Sequence, residues 1–205
     1  MQSKSLLHAL AGAAAALTLV LTLGAATQDA QPGGDEMAQA MAKAAKLTGT
    51  NENHKFLERM LGTWDYELQF TMAGMSGMPP EKGTTEAKWL VEGRWLQAES
   101  TGTMMGMPMK SFTTIGYDNF KQSYRVSMLN SVDTAMLISE GDLTQKKDVL
   151  ITYGTLDEYL TGEHDKMVKY LWRFLSDDEI LLEVHDLPIG EENTKVFQIR
   201  SKRRK

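Results

Sequence analysis

Residues 56–70 read FLERMLGTWDYELQF, and the hydrophobic period changes inside them. Up to Gly62 the apolar residues fall at helical spacing. In NENHKFLERMLG (51–62), Asn51 can cap a short helix, Phe56, Leu57, Met60 and Leu61 share one face, and Gly62 ends it. From Trp64 the spacing is two. Trp64, Tyr66, Leu68 and Phe70 alternate with Asp65, Glu67 and Gln69, the pattern of a strand with one buried face.

That period persists to the end of the chain. Ala87, Trp89 and Val91 share a face of TTEAKWLVE (84–92), Tyr124, Val126 and Met128 a face of SYRVSML (123–129), and Val168, Tyr170, Trp172 and Phe174 a face of KMVKYLWRFL (166–175). Comparable runs are RWLQAESTGT (94–103), KSFTTIGY (110–117), TAMLISEGD (134–142), DVLITYG (148–154), ILLEVHD (180–186) and TKVFQIR (194–200). Short turns such as DNFK, TQKK and SDDE join them. Parallel strands need crossovers of a dozen residues or more, and the sequence after Gly62 offers none. The expected fold is all-β: about ten antiparallel strands in an up-and-down barrel, because closure removes exposed edges. A β-sandwich is the alternative.

The N-terminus has a different character. Lys4 precedes a stretch without charge from residue 9 to residue 28, and Gly24, Ala25 and Ala26 follow as small residues. This is a signal-peptide pattern with cleavage expected after Ala26, the alternative being a retained membrane anchor. The expected location is periplasmic or secreted, with no stable membrane insertion after cleavage. Residues 27–50 read as a linker and marginal helix, DEMAQAMAKAAKL (35–47), and residues 51–205 as the barrel domain. The chain of 205 residues has no Cys, so its stability rests on a core rather than on disulfides. Cleavage would remove Lys4 and no acid, moving the net charge from −5 to −6. Such a chain is not a nucleic-acid binder by charge.

The short helix, Gly62-x-Trp64 and the first strand resemble the opening of the lipocalin and fatty-acid-binding (calycin) barrels. That resemblance implies a first-strand Trp closing one barrel end under a cation from the last strand, and Arg200 is the residue it points to here. HKFLERMLGTW, VEGRWLQAESTGTMMGMPMKSFTTIGYDNFKQSY and FQIRSK resemble more closely the bacterial family called domain of unknown function 1579, over roughly residues 52–203. This implies a barrel of the same kind and carries no activity, cofactor or catalytic residue with it.

Chemistry is sparse. There is no HExxH, P-loop or dinucleotide fingerprint, and AGMSGM lacks the spacing of a nucleophile elbow. His54 starts the short helix and His164 lies in an acidic loop with Asp157, Glu158, Glu163 and Asp165, which has no calcium-loop spacing. His185 and Asp186 are adjacent on a strand, so one of them faces inward. An inward His is a conceivable haem ligand. Catalytic residues and cofactors are not assigned; a non-enzymatic barrel is expected, with a haem-binding or enzymatic barrel as an alternative.

Barrels of this size can enclose a cavity. Trp64, Tyr66, Trp89, Trp172, Met104 and Met107 are the candidates for binding a small apolar ligand. TMAGMSGMPP (71–80) and TGTMMGMPMK (101–110) hold seven of the 14 methionines, and in a meander both stretches emerge at the same barrel end. Three readings stand: an adaptable apolar flap or partner surface, loop packing, and a Cu(I) site built from Met72, Met75 and Met78.

Overall fold

The structure is a computed structural model that describes residues 34–71, 75, 77–158, 162–187 and 194–205. The signal-like segment 1–26 lies outside the described residues. The chain divides into two units, 1–45 and 46–205. Helix α1 spans Gly34–Thr48, with Asp35 and Glu36 in its first turn, Lys46 in its last, and no buried residue. That charge order suits the helix dipole. No helix among the described residues is long and apolar enough to cross a membrane.

In the second unit, α2 (Glu52–Phe56) runs into a 3₁₀ turn at Leu57–Met60. Asn51 caps α2 by accepting from the Asn53 N–H at 2.9 Å, while the Asn51 N–H donates to His54 Nδ1 at 3.2 Å. The ten strands are β1 (Gly62–Phe70), β2 (Glu81–Val91), β3 (Trp95–Met104), β4 (Met107–Asp118), β5 (Ser123–Asn130), β6 (Leu137–Leu143), β7 (Val149–Glu158), β8 (Glu163–Ser176), β9 (Glu179–Asp186) and β10 (Thr194–Arg203). Each pairs antiparallel with its sequence neighbour, and β1 pairs with β10 to close the barrel. The expected up-and-down barrel is therefore the fold, and a sandwich is excluded.

Inward faces follow the alternation. Trp64, Tyr66, Leu68 and Phe70 on β1 are all buried, as are Val168, Tyr170 and Phe174 on β8. On β2 the register shifts between Trp89 and Val91, so Val91 leaves the inner face and is exposed, against the expected Ala87–Trp89–Val91 stripe. A bulge of this kind adds a residue and reverses the parity beyond it.

One barrel end is plugged. Phe56, Leu57 and Met60 pack with Trp64, Leu96, Ile115, Tyr124, Leu150 and Phe174. Tyr124 Oη, deep in this core, donates to the Asn53 carbonyl at 2.9 Å. The connections at this end are tight: 92–94, 119–122, 144–148 and 177–178.

Trp64 sits at the plug, and its Nε1 donates to the Met60 carbonyl at 2.9 Å. The cation over its ring is Arg203, at 4.1 Å, and not Arg200. Strand parity explains the correction. Arg203 stands opposite Trp64 on the inner face, whereas Arg200 stands opposite Glu67 on the outer face and bonds Glu179 at 2.5 Å. Arg203 also donates to the carbonyls of Leu61, Arg59 and Asp177. Gly62, between plug and strand, has φ +110°, a conformation that disfavours side chains.

Burial, followed by the nearby Arg94 charge, holds His54 below its ordinary value, against a backbone hydrogen bond to Tyr117 that raises it. A folded-state pKa below the unfolded one means that the folded protein resists protonation. Stability from neutral His54 is complete above about 6.5 and is lost as pH falls through that value toward the folded pKa. The expected result is a urea midpoint that falls between pH 7 and pH 5 in the native chain and less steeply in His54→Gln. Equal slopes in the two proteins would contradict it.

Candidate functional site

The other barrel end is the mouth, where β1, β3, β5, β7 and β9 end and β2, β4, β6, β8 and β10 begin. The strands that flank the two methionine-bearing stretches, β1–β2 and β3–β4, are joined at this end, as the meander required. Met105 and Gly106 form a two-residue hairpin with φ +53° and +75°, the pattern of a type I′ turn. Glu81, at the start of β2, accepts from the Gly106 N–H at 3.0 Å and fastens this hairpin to its neighbour. A methionine in left-handed backbone is unfavourable where Asn is preferred. Met105→Asn is expected to stabilise the protein by about 0.5–1 kcal/mol in thermal melts; a loss of stability would mean that the Met105 side chain contributes packing.

Below the mouth, Tyr66, Leu68 and Phe70 form a cluster with Met75, Met104, Phe197 and Ile199 packed against it. Tyr66 reaches across the wall at Gly83 and Gly102. A Cβ at either position would come within 2.4 Å of the Tyr66 ring or hydroxyl. Burial, with a smaller effect of the Glu81 charge, raises the Tyr66 pKa, so the phenol stays neutral.

On the β8–β9 side of the mouth, Lys166 and Asp186 both point inward and pair at 2.8 Å. Below them Tyr170 is pushed up to about 12 by burial and then by the Asp186 charge. Asp186 is thus the inward member of the His185–Asp186 pair. His185 stands in register with Lys169 and Lys195 on the outer face. His164 is exposed beside Asp157 at 3.3 Å.

Between plug and mouth cluster lies a cavity of about 160 Å³. Its lining divides by strand. Thr85, Ala87, Ala98, Ser100, Ser111 and Thr113 come from β2–β4, and Met128, Trp172, Ile180, Leu182 and Ile199 from β5 and β8–β10. Trp64 and Met60 form its floor on the plug side together with Leu96 of β3 and Ile115 of β4, and Ser201 of β10 completes it. Thr85 and Ser100 share a hydrogen bond at 2.7 Å. Beyond the plug-side Leu96 and Ile115, the β2–β4 wall carries small and hydroxyl side chains, and the β5 and β8–β10 wall carries large apolar ones apart from Ser201; no histidine and no charged group lines the space.

Of the six ligand candidates, Trp64 and Trp172 line the cavity. Tyr66 and Met104 belong to the cluster above it. Trp89 packs against the plugged-end core, and Met107 is exposed at the mouth. In the proposed copper trio, Met72 lies outside the described residues, Met75 is in the mouth cluster and Met78 is exposed. Among the described residues, no group of three or more His, Asp or Glu could hold a metal ion. The hydroxyl wall was not anticipated. Thr85, Ser100 and Ser111 sit at inward parity, but as isolated polar residues they carry no signal apart from their strand neighbours.

No curated protein matches the chain. Among solved structures it is similar to Rv2717c from M. tuberculosis, with a TM-score of 0.55 and 11% identity over 77% of this chain and 100% of that one. It is also similar to the S-type phycobiliprotein lyase CPES from Guillardia theta, with a TM-score of 0.49 and 12% identity over 79% of this chain and 97% of that one. The family described as "Protein of unknown function (DUF1579)" matches residues 49–203, a span that contains the whole closed barrel, and the chain belongs to this family.

Proposed function

We propose that this protein is a binding barrel that encloses a small, mainly apolar ligand, which enters at the methionine-bearing mouth. The observation that carries this reading is the cavity of about 160 Å³ bounded by Trp64 and Trp172. Protein interiors are close-packed, so a space of this size inside the barrel leaves room for a small ligand. A cavity of about 150 Å³ is enough for benzene. Met75 and Met104 pack against the Tyr66, Leu68 and Phe70 cluster at the mouth side of the barrel. Unbranched thioethers shift between rotamers readily, which suits a cover that must open. The lining includes hydroxyls without an acid or base beside them, which favours binding over catalysis. A haem would find no imidazole in this lining. The signal-like N-terminus supports an exported, periplasmic or secreted, setting.

The test is titration of the full chain with toluene, followed by Trp emission and calorimetry. Saturable binding is expected. Ala98→Leu, which fills the small-residue wall, should weaken it at least tenfold at an unchanged melting temperature. Toluene binding that Ala98→Leu leaves intact would place the site elsewhere, and binding of neither toluene nor phenol would overturn the reading.

A further inference from the structure

The two walls of the cavity differ in chemistry, and the difference selects a ligand class. On β2, β3 and β4, Thr85 stands opposite Ser100, and Ser100 opposite Ser111, in consecutive register pairs. Thr113 follows on the same face of β4. These side chains form a hydroxyl arc across three adjacent strands. The Thr85–Ser100 bond at 2.7 Å uses one hydroxyl proton and leaves the other, with acceptor lone pairs on both oxygens. Facing the arc, Trp172 and Leu182 pair across β8 and β9, and Leu182 and Ile199 across β9 and β10, as a mainly apolar wall whose polar groups are the unpartnered Trp172 Nε1 and the Ser201 hydroxyl.

Charge is absent from the lining. The inward ions Lys166 and Asp186 belong to the mouth and pair with each other. An ionic ligand in the cavity would therefore lose its hydration without gaining a counter-ion, which is strongly unfavourable. A pure hydrocarbon would satisfy one wall and leave the hydroxyl arc desolvated. At about 160 Å³ the space suits a molecule somewhat larger than benzene.

We infer that the ligand is a neutral six-membered-ring compound, roughly the size of phenol or benzyl alcohol, with a hydroxyl or carbonyl on one edge. Its ring lies against Trp172 and Leu182, and its polar edge meets Ser111 and Thr113. This rests on the cavity-binding reading above and adds the polarity of the ligand to it.

The experiment compares toluene, phenol, benzyl alcohol and benzoate by calorimetry at pH 7, on the native chain and on a Ser111→Ala/Thr113→Val variant. Phenol or benzyl alcohol should bind at least tenfold more tightly than toluene, and benzoate should not bind. In the variant the alcohols should weaken about tenfold while toluene tightens, with the melting temperature as a check on folding. Toluene binding as tightly as both alcohols would overturn this inference and leave the cavity reading standing. The same holds for benzoate binding as tightly as phenol, or for a variant with unchanged preferences. If none of the four binds, both fail; a hydrated cavity holding only water is then the occupant.

Discussion

Arg203→Ala is expected to destabilise the protein by about 3 kcal/mol, whereas Arg200→Ala should cost less than about 1 kcal/mol. Arg203 covers the Trp64 ring and gives hydrogen bonds to three carbonyls, two of them in the segment leading into β1. Removing it leaves those carbonyls and a buried indole face without their cation. Arg200 makes a half-exposed pair with Glu179 on the outer surface, where solvent screens the charges. For a chain of this size the first change corresponds to a fall of roughly 6–12 °C in melting temperature. Similar losses from the two variants would mean that the Trp64 contact adds nothing beyond an ordinary surface pair.

The second large effect is expected at the wall where Tyr66 crosses. Gly102→Ala should cost about 3 kcal/mol, because the new methyl group meets the Tyr66 hydroxyl at 2.4 Å and the Lys82 carbonyl at 2.7 Å. The phenol can rotate away, but the carbonyl is part of the β2 ladder. The companion variant Gly102→Ala/Tyr66→Phe should therefore recover only part of the loss. Full recovery in chemical denaturation would show that the hydroxyl is the sole obstacle, and a neutral Gly102→Ala would contradict the close approach itself.

The alternation from Trp64 to Phe70 identified the first inward face because every second residue is large and apolar. The same held on β5, where Tyr124 and Val126 are buried, and on β8. The pattern failed where parity changes. Val91 lies beyond a bulge that the sequence does not mark. Arg200 and Arg203 are three residues apart and so lie on opposite faces, a distinction that depends on the β1–β10 register. His185 and Asp186 stayed undecided because both faces of that strand mix apolar and charged residues. The cavity was legible only as an expectation for barrels of this size. Its hydroxyl wall is assembled from single residues on three strands, and a Ser at inward parity looks the same in sequence as one facing water.

The order of the strands has a consequence for how the barrel assembles. Nine of the ten pairings join sequence neighbours and can form as hairpins, while the β1–β10 seam joins the two ends of the meander. Leu61 and Arg203, which bond across that seam, are 142 residues apart. Closing a loop of that length before the intervening strands pair costs roughly 4 kcal/mol in chain entropy, whereas zipping hairpins in sequence shortens the effective gap. The seam is thus the natural last step of folding. Until it closes, the chain is an open sheet with β1 and β10 as unpaired edges, able to pair with the edges of other copies. By fastening β10 to the turn before β1, Arg203 shortens the life of that species, so loss of this one side chain should appear first as aggregation during refolding.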